Sequence, residues 1–192
     1  EAAPAELPPL GAPGSATGNG RRPEWALTGT GERGRGARHN IISSIYLDPE
    51  KEEAYNRKLQ AKFAALRRDE VRFAEFGLEG AELVVVAFGT AGRVAQSAVK
   101  TARAEGIPVG LLRPISLYPF PEERLSRLAD EARAFLVVEM NAGQMVEDVR
   151  LAVNGQAPVR FYGRMGGMVP MPDEVLANIR ELNAEVRKHR AN

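Results

Sequence analysis

Cysteine is absent from this 192-residue chain. That excludes disulfides, thiolate zinc sites, a cysteine nucleophile and any iron–sulfur cluster held by the chain's own thiolates. Histidine is nearly absent: His39 and His189 are the only two and lie far apart, which argues against a histidine-rich metal centre. No run approaches the ~20 apolar residues needed to span a bilayer as a helix. Charge of one sign is missing too, with Lys+Arg 26 against Asp+Glu 25 and a net charge of +1. Without a global field to draw in nucleic acid or anionic lipid, neither is an expected partner. What remains is ordinary. Hydrophobic side chains make up 44% and charged ones 27%, close to the soluble averages of about 45–50% and about 25%. Such a chain can bury one core of moderate size, or one domain with a long tail.

The chain opens at Glu1, and all five methionines (Met140, Met145, Met165, Met168, Met171) fall in one late stretch. Its opening EAAPAELPP has neither the charged start nor the apolar stretch of a secretory signal. We expect a processed chain or a piece of a longer protein, with a cytoplasmic location. Residues 1–40 are rich in Pro, Gly and Ala and show no apolar periodicity, the mark of a linker or extended arm. Trp25, the only tryptophan, and a surplus of arginine (Arg21, Arg22, Arg33, Arg35, Arg38) suit such an arm to docking on an acidic surface. Residues 41–79 read as a docking segment and an amphipathic helix. IISSIYL is an edge strand or docking stretch. Asp48-Pro49 then announces a helix, because Asp accepts from first-turn N–H groups and Pro suits the first position. That helix is expected to run to about Phe76, with Tyr55, Leu59, Phe63 and Leu66 on one face.

Residues 80–192 alternate strand and helix. Segment 82–88 (ELVVVAF) reads as a strand covered on both faces, and 109–112, 134–139 (AFLVVE) and 159–162 read as the second, third and fourth strands. Helices are expected from Arg93 to Glu105, from near Pro121, after Asn141 and in the last segment. This alternation implies parallel pairing through right-handed crossovers, hence a three-layer α/β/α domain with a mostly parallel sheet. Ligands and partners of such folds gather at the carboxyl ends of the strands. Here that edge consists of the GTAGR, RPISLYPFP, EMNAGQM and GRMGGMVP loops.

Each loop has a plain reading beside a functional one. GTAGR lacks the frame of a dinucleotide fingerprint or a P-loop and is read as a tight turn. In EMNAGQM, Asn141 and Gln144 have capping-box spacing, which leaves Glu139 free for a partner or ligand. Arg113 at a strand end could hold a carboxylate or phosphate, or pair within the domain with Glu139. Tyr118 and Phe120 in the stiff proline loop, and Arg164 beside the methionines, complete the candidate edge. The methionines suit an interface and core filling equally. Ser97 and Ser116 have no patterned base, so no catalytic, cofactor-binding or metal-ligating residue is assigned.

Several long stretches resemble one family in the right order: PEWALTG, IISSIYLDPEKEEAYNRKLQAKF, VVVAFGTAGRVAQSAVKTARAEGIPVGLLRPISLYPFP, LVVEMNAGQMVEDVRLAVNG and FYGRMGGMVP. They resemble the C-terminal part of the alpha subunit of 2-oxoacid:ferredoxin oxidoreductases, nearest the 2-ketoisovalerate (3-methyl-2-oxobutanoate) type, from about Pro23 to Leu182. The resemblance implies a transketolase C-terminal-like domain in a multi-subunit enzyme that decarboxylates a 2-oxoacid to an acyl-CoA and reduces ferredoxin. Thiamine diphosphate, Mg²⁺ and [4Fe–4S] clusters are then expected in the parent assembly and none on this chain. Its partners would be the other subunits or domains and, through the assembly, ferredoxin. The implied role here is non-catalytic assembly; the alternative is a stand-alone Rossmann-like module for a nucleotide or anion.

Overall fold

A computed structural model describes residues 45–191, with side chains to Lys188. The arm expected over 1–40, with Trp25 and its arginines, lies outside the described residues. The chain divides into two compact units, 1–58 and 59–192. In the first, residues 45–47 form no strand, and Ile45 and Leu47 are exposed. Helix α1 (Pro49–Asp69) then begins as its sequence requires. The Glu50 N–H donates to Asp48 Oδ1 at 3.1 Å, satisfying one of the orphan first-turn donors. The rings of Tyr46 and Tyr55 lie 5.1 Å apart. Tyr55, Leu59, Phe63 and Leu66, the expected stripe, are the half-buried large side chains of α1, and none of its residues is fully buried.

The expected end of this helix is corrected. It stops at Asp69, and β1 (Phe73–Phe76) follows as a strand. Glu70 stands where the next turn of the apolar stripe would fall and interrupts it. β1 instead pairs antiparallel with β3 (Val109–Pro114), Phe76 opposite Leu111 and Phe73 opposite Pro114. It occupies an edge that would otherwise expose unpaired backbone groups.

The other elements are β2 (Leu83–Ala87), α2 (Gly89–Ala104), α3 (Glu122–Ala129), β4 (Ala134–Glu139), α4 (Met145–Val153), β5 (Val159–Gly163) and α5 (Pro172–Ala191). α2 starts four residues before the expected Arg93. GTAGR is its first turn, entered through Gly89 at φ 55°, a conformation glycine adopts without strain. The sheet order is β1-β3-β2-β4-β5, with β2, β3, β4 and β5 parallel. Right-handed crossovers then dictate the layers. The step from β2 to β3 runs one way along the sheet, and the steps to β4 and β5 run the other. α2 therefore covers one face and α3 and α4 the opposite one.

Strand alternation divides the core accordingly. Leu83, Val85, Leu111, Leu136 and Val138 pack with α2 and α5. Val84, Val86, Leu112, Phe135 and Val137 pack with α3 and α4. The direction of winding reverses beside β2, so the crevice of this fold opens where β2 and β4 end.

Candidate functional site

At the end of β3, strand alternation continues from Leu111 to place Arg113 on the α2 side of the sheet. Its Cδ lies over Gly92, where an added Cβ would come within 3.3 Å of it. The anticipated ion pair with Glu139 does not form. Glu139 follows Val138 on β4 and faces the α3/α4 layer, the other side of the sheet. Beyond Arg113 the proline loop is fastened at Ser116. Its hydroxyl accepts from the Arg72 N–H at 2.9 Å and donates to the Pro119 carbonyl at 2.9 Å. Ile115 N–H and Ser116 N–H both donate to Arg72 O. Tyr118 is exposed and meets Phe63 edge-on with centroids 6.0 Å apart. Phe120 turns inward and is buried with Leu125 and Leu128.

At the end of β4 the capping-box reading is corrected. The helix begins at Met145, its cap residue is Gln144, and the Gln144 side chain makes no capping bond. Glu139 does that work across five to seven residues. Its carboxylate, 0% exposed, accepts from Gln144 N–H at 3.2 Å, Met145 N–H at 3.0 Å and Val146 N–H at 3.0 Å. Asn141 Nδ2 donates to it at 3.0 Å, while Asn141 Oδ1 accepts from Gly143 N–H at 2.7 Å. A buried carboxylate is tolerated where several donors point at it and a helix N-terminus supplies partial positive charge. Burial, together with the carboxylates of Glu122, Glu139 and Glu147, pushes Asp148 above its ordinary range.

At the end of β5, Arg164 Nη1 donates to Glu174 Oε1 at 2.8 Å and Met171 N–H donates to Glu174 Oε2 at 2.8 Å. These bonds close the base of the 164–171 loop against the start of α5. Burial and the neighbouring Glu174 push the Tyr162 hydroxyl up. The loop displays Met165 and Met168, with Met171 at its end, and Met140 projects from the end of β4; all four are exposed, whereas Met145 is buried.

Two clamps here predict an acid response. Backbone donation from Met171 holds Glu174 below its ordinary range, and the bidentate Arg180 guanidinium does the same for Glu105, joining α5 to α2. A depressed carboxyl stabilises the fold above its unfolded pKa and loses that contribution as pH falls through the lower folded value. Stability should therefore fall on acidification below the ordinary carboxylate range. Glu105→Gln and Glu174→Gln should each flatten that fall when unfolding is measured against pH. An unchanged slope would count against the clamps.

A cleft of about 410 Å³ lies between the end of α1 and the start of α3, lined by Arg67, Arg68, Arg124 and Arg127 with Phe73 and Phe120. Three of these guanidinia are already paired, with Asp69, Glu75 and Glu123 respectively. The cleft offers little net charge to a ligand.

Residues 81–175 match the family described as pyruvate:ferredoxin oxidoreductase core domain II. The chain is 47% identical over 161 residues to the ketoisovalerate oxidoreductase subunit VorB of Methanothermobacter marburgensis, which covers 84% of this chain and 44% of the relative. It is 37% identical over 160 residues to the 2-oxoglutarate synthase subunit KorA of Archaeoglobus fulgidus, again with 44% of the relative covered. Among solved structures, the 2-oxoglutarate:ferredoxin oxidoreductase from Magnetococcus marinus aligns with a TM-score of 0.64 at 22% identity, over 72% of this chain and 24% of that one. A split-gene transketolase, an inactive β4 tetramer, aligns with a TM-score of 0.51 at 23% identity, over 59% of this chain and 41% of that one. These two likenesses concern the fold and agree with the expected transketolase C-terminal-like α/β/α architecture. The chain spans less than half the length of the curated relatives it matches.

Proposed function

We infer, from the family match over residues 81–175 and the relatives described above, that this chain is a non-catalytic assembly domain of a 2-oxoacid:ferredoxin oxidoreductase subunit. The observation that carries the role is how the strand-end edge uses its polar groups. Glu139 holds the first turn of α4, Ser116 fastens the proline loop and Glu174 closes the methionine loop. Each is engaged in shaping the edge, and the side chains this shaping presents outward are largely apolar: Ile115, Leu117, Met140, Met165 and Met168. Rigid polar scaffolding beneath an apolar surface suits packing against protein.

The subunit is the alpha subunit, and the parent reaction is oxidative decarboxylation of a branched-chain 2-oxoacid to its acyl-CoA with reduction of ferredoxin in the cytoplasm. The VorB relative supports the branched-chain assignment. Thiamine diphosphate supplies the carbanion chemistry in such an assembly, with Mg²⁺ on its diphosphate and [4Fe–4S] clusters carrying electrons. For the clusters and the metal, the residues here do not fit as holders. The chain has no cysteine, and among the described residues no group of three His, Asp or Glu could hold a metal ion. No step of the reaction is assigned to this chain.

The purified chain supplied with 2-oxoacid, CoA, thiamine diphosphate and Mg²⁺ should reduce neither ferredoxin nor viologen. The complex purified through it should do both. Turnover by the chain alone would overturn this reading, as would calorimetry showing tight nucleotide binding by the chain alone, the result expected of a stand-alone module.

A further inference from the structure

The strand-end edge combines two features that the assembly role does not by itself require. The first is four exposed methionines on neighbouring loops: Met140 after β4, then Met165, Met168 and Met171 around the β5–α5 connection, at 38%, 60%, 53% and 56% exposure. β4 and β5 are adjacent, with Glu139 opposite Gly163, so these loops leave the sheet side by side. Methionine is flexible and polarizable, and a cluster of this kind on a surface adapts to an opposing apolar one.

The second feature is the balance of charge. Glu139 at the end of β4 and Glu174 in the first turn of α5 are bound to groups of this domain. Arg113, at the end of β3 and separated from β4 by β2, is half-buried and has no carboxylate partner among the described residues. α2, whose first turn it overlies, carries no acidic residue in that turn. A partly desolvated guanidinium in this setting is matched by an incoming carboxylate, which it can bind bidentately.

We propose that this face docks the part of the oxidoreductase subunit that the relatives carry outside the matched stretch, and that this occupant sets an Asp or Glu against Arg113 within an apolar frame that covers the methionines. The proposal rests on the assembly function proposed above. More than half of each curated relative lies outside the match. In those relatives that length is tethered to this domain, which gives it an effective concentration on the order of mM. That favours it over a free partner of equal fit.

The test compares the free full-length chain with the complex purified through it from its own cells. Both are treated with hydrogen peroxide, which converts each accessible thioether to a sulfoxide with release of water. In the free chain Met140, Met165, Met168 and Met171 should oxidise and Met145 should not. In the complex the four should oxidise at least tenfold more slowly. In parallel, Arg113→Lys places an amine at the same point, and carbodiimide should couple it to an Asp or Glu of the subunit beyond the matched stretch, as located by mass spectrometry. Equal oxidation in the two samples overturns the proposal and leaves the assembly function standing. So does a cross-link to a second copy or to a different subunit. A chain that purifies alone from its own cells overturns both.

Discussion

Replacing Glu139 with alanine should lower the unfolding free energy by about 3 kcal/mol, since charge-assisted bonds to three first-turn amides are lost in a dry site. The amides concerned belong to Gln144, Met145 and Val146. No other capping side chain is available, because Gln144 makes no capping bond. The Glu139 carboxylate is fully buried, so the amides would be left without an equivalent acceptor. Glu139→Gln should cost less, about 2 kcal/mol, because one oxygen still accepts while the amide NH₂ faces the helix N–H groups. Urea unfolding of the full chain measures both. A loss below 1 kcal/mol for the alanine variant would mean that the carboxylate does not hold this turn. The stability effect should reach the edge, since the 140–144 loop carries Met140 and is anchored on the same carboxylate through Asn141.

Gly110→Ala should be nearly as damaging, although it adds a single methyl to a strand. The new Cβ would lie 2.6 Å from Leu78 Cδ2, 2.7 Å from Gly77 O and 2.8 Å from Leu78 Cα. Two of those three atoms are backbone and cannot rotate away. Overpacking typically costs 1–3 kcal/mol, and an immovable backbone neighbour argues for the upper end, about 3 kcal/mol. For a chain of this size that corresponds to a melting temperature lower by roughly 6–12 °C. Leu78→Ala in the same molecule removes the Cδ2 clash and leaves the other two, so rescue should be partial at best. Full rescue would show that the side chain alone creates the crowding.

The alternation of short apolar runs with amphipathic helices was legible without any structure. ELVVVAF and AFLVVE have no polar face, so they must be covered on both sides, and only interleaved helices can do that within one chain. Residues 81–175, the family match, fall within the stretch where this periodicity is regular. The stripe of α1 was equally plain, because its spacing is a local property of the chain.

Other features depend on residues distant in sequence, and there the tertiary structure decided. FAEF is too short for its own pattern to separate helix from strand. It is a strand because β3 has an edge at that place, and Phe76 finds Leu111 across it. Gly110 carries no mark of crowding in VGLL; the crossing of Leu78 creates it. Arg113 and Glu139 looked like partners because both end strands, yet the pleat sends them to opposite faces of the sheet. Glu139 seemed free while Asn141 and Gln144 had cap spacing. The chain between Glu139 and Met145 loops back so that the buried carboxylate, and not the nearer amide side chain, meets the helix N–H groups. Periodicity records which side of an element is buried. What lies against that side is set by how the strands are ordered, and no single segment contains that order.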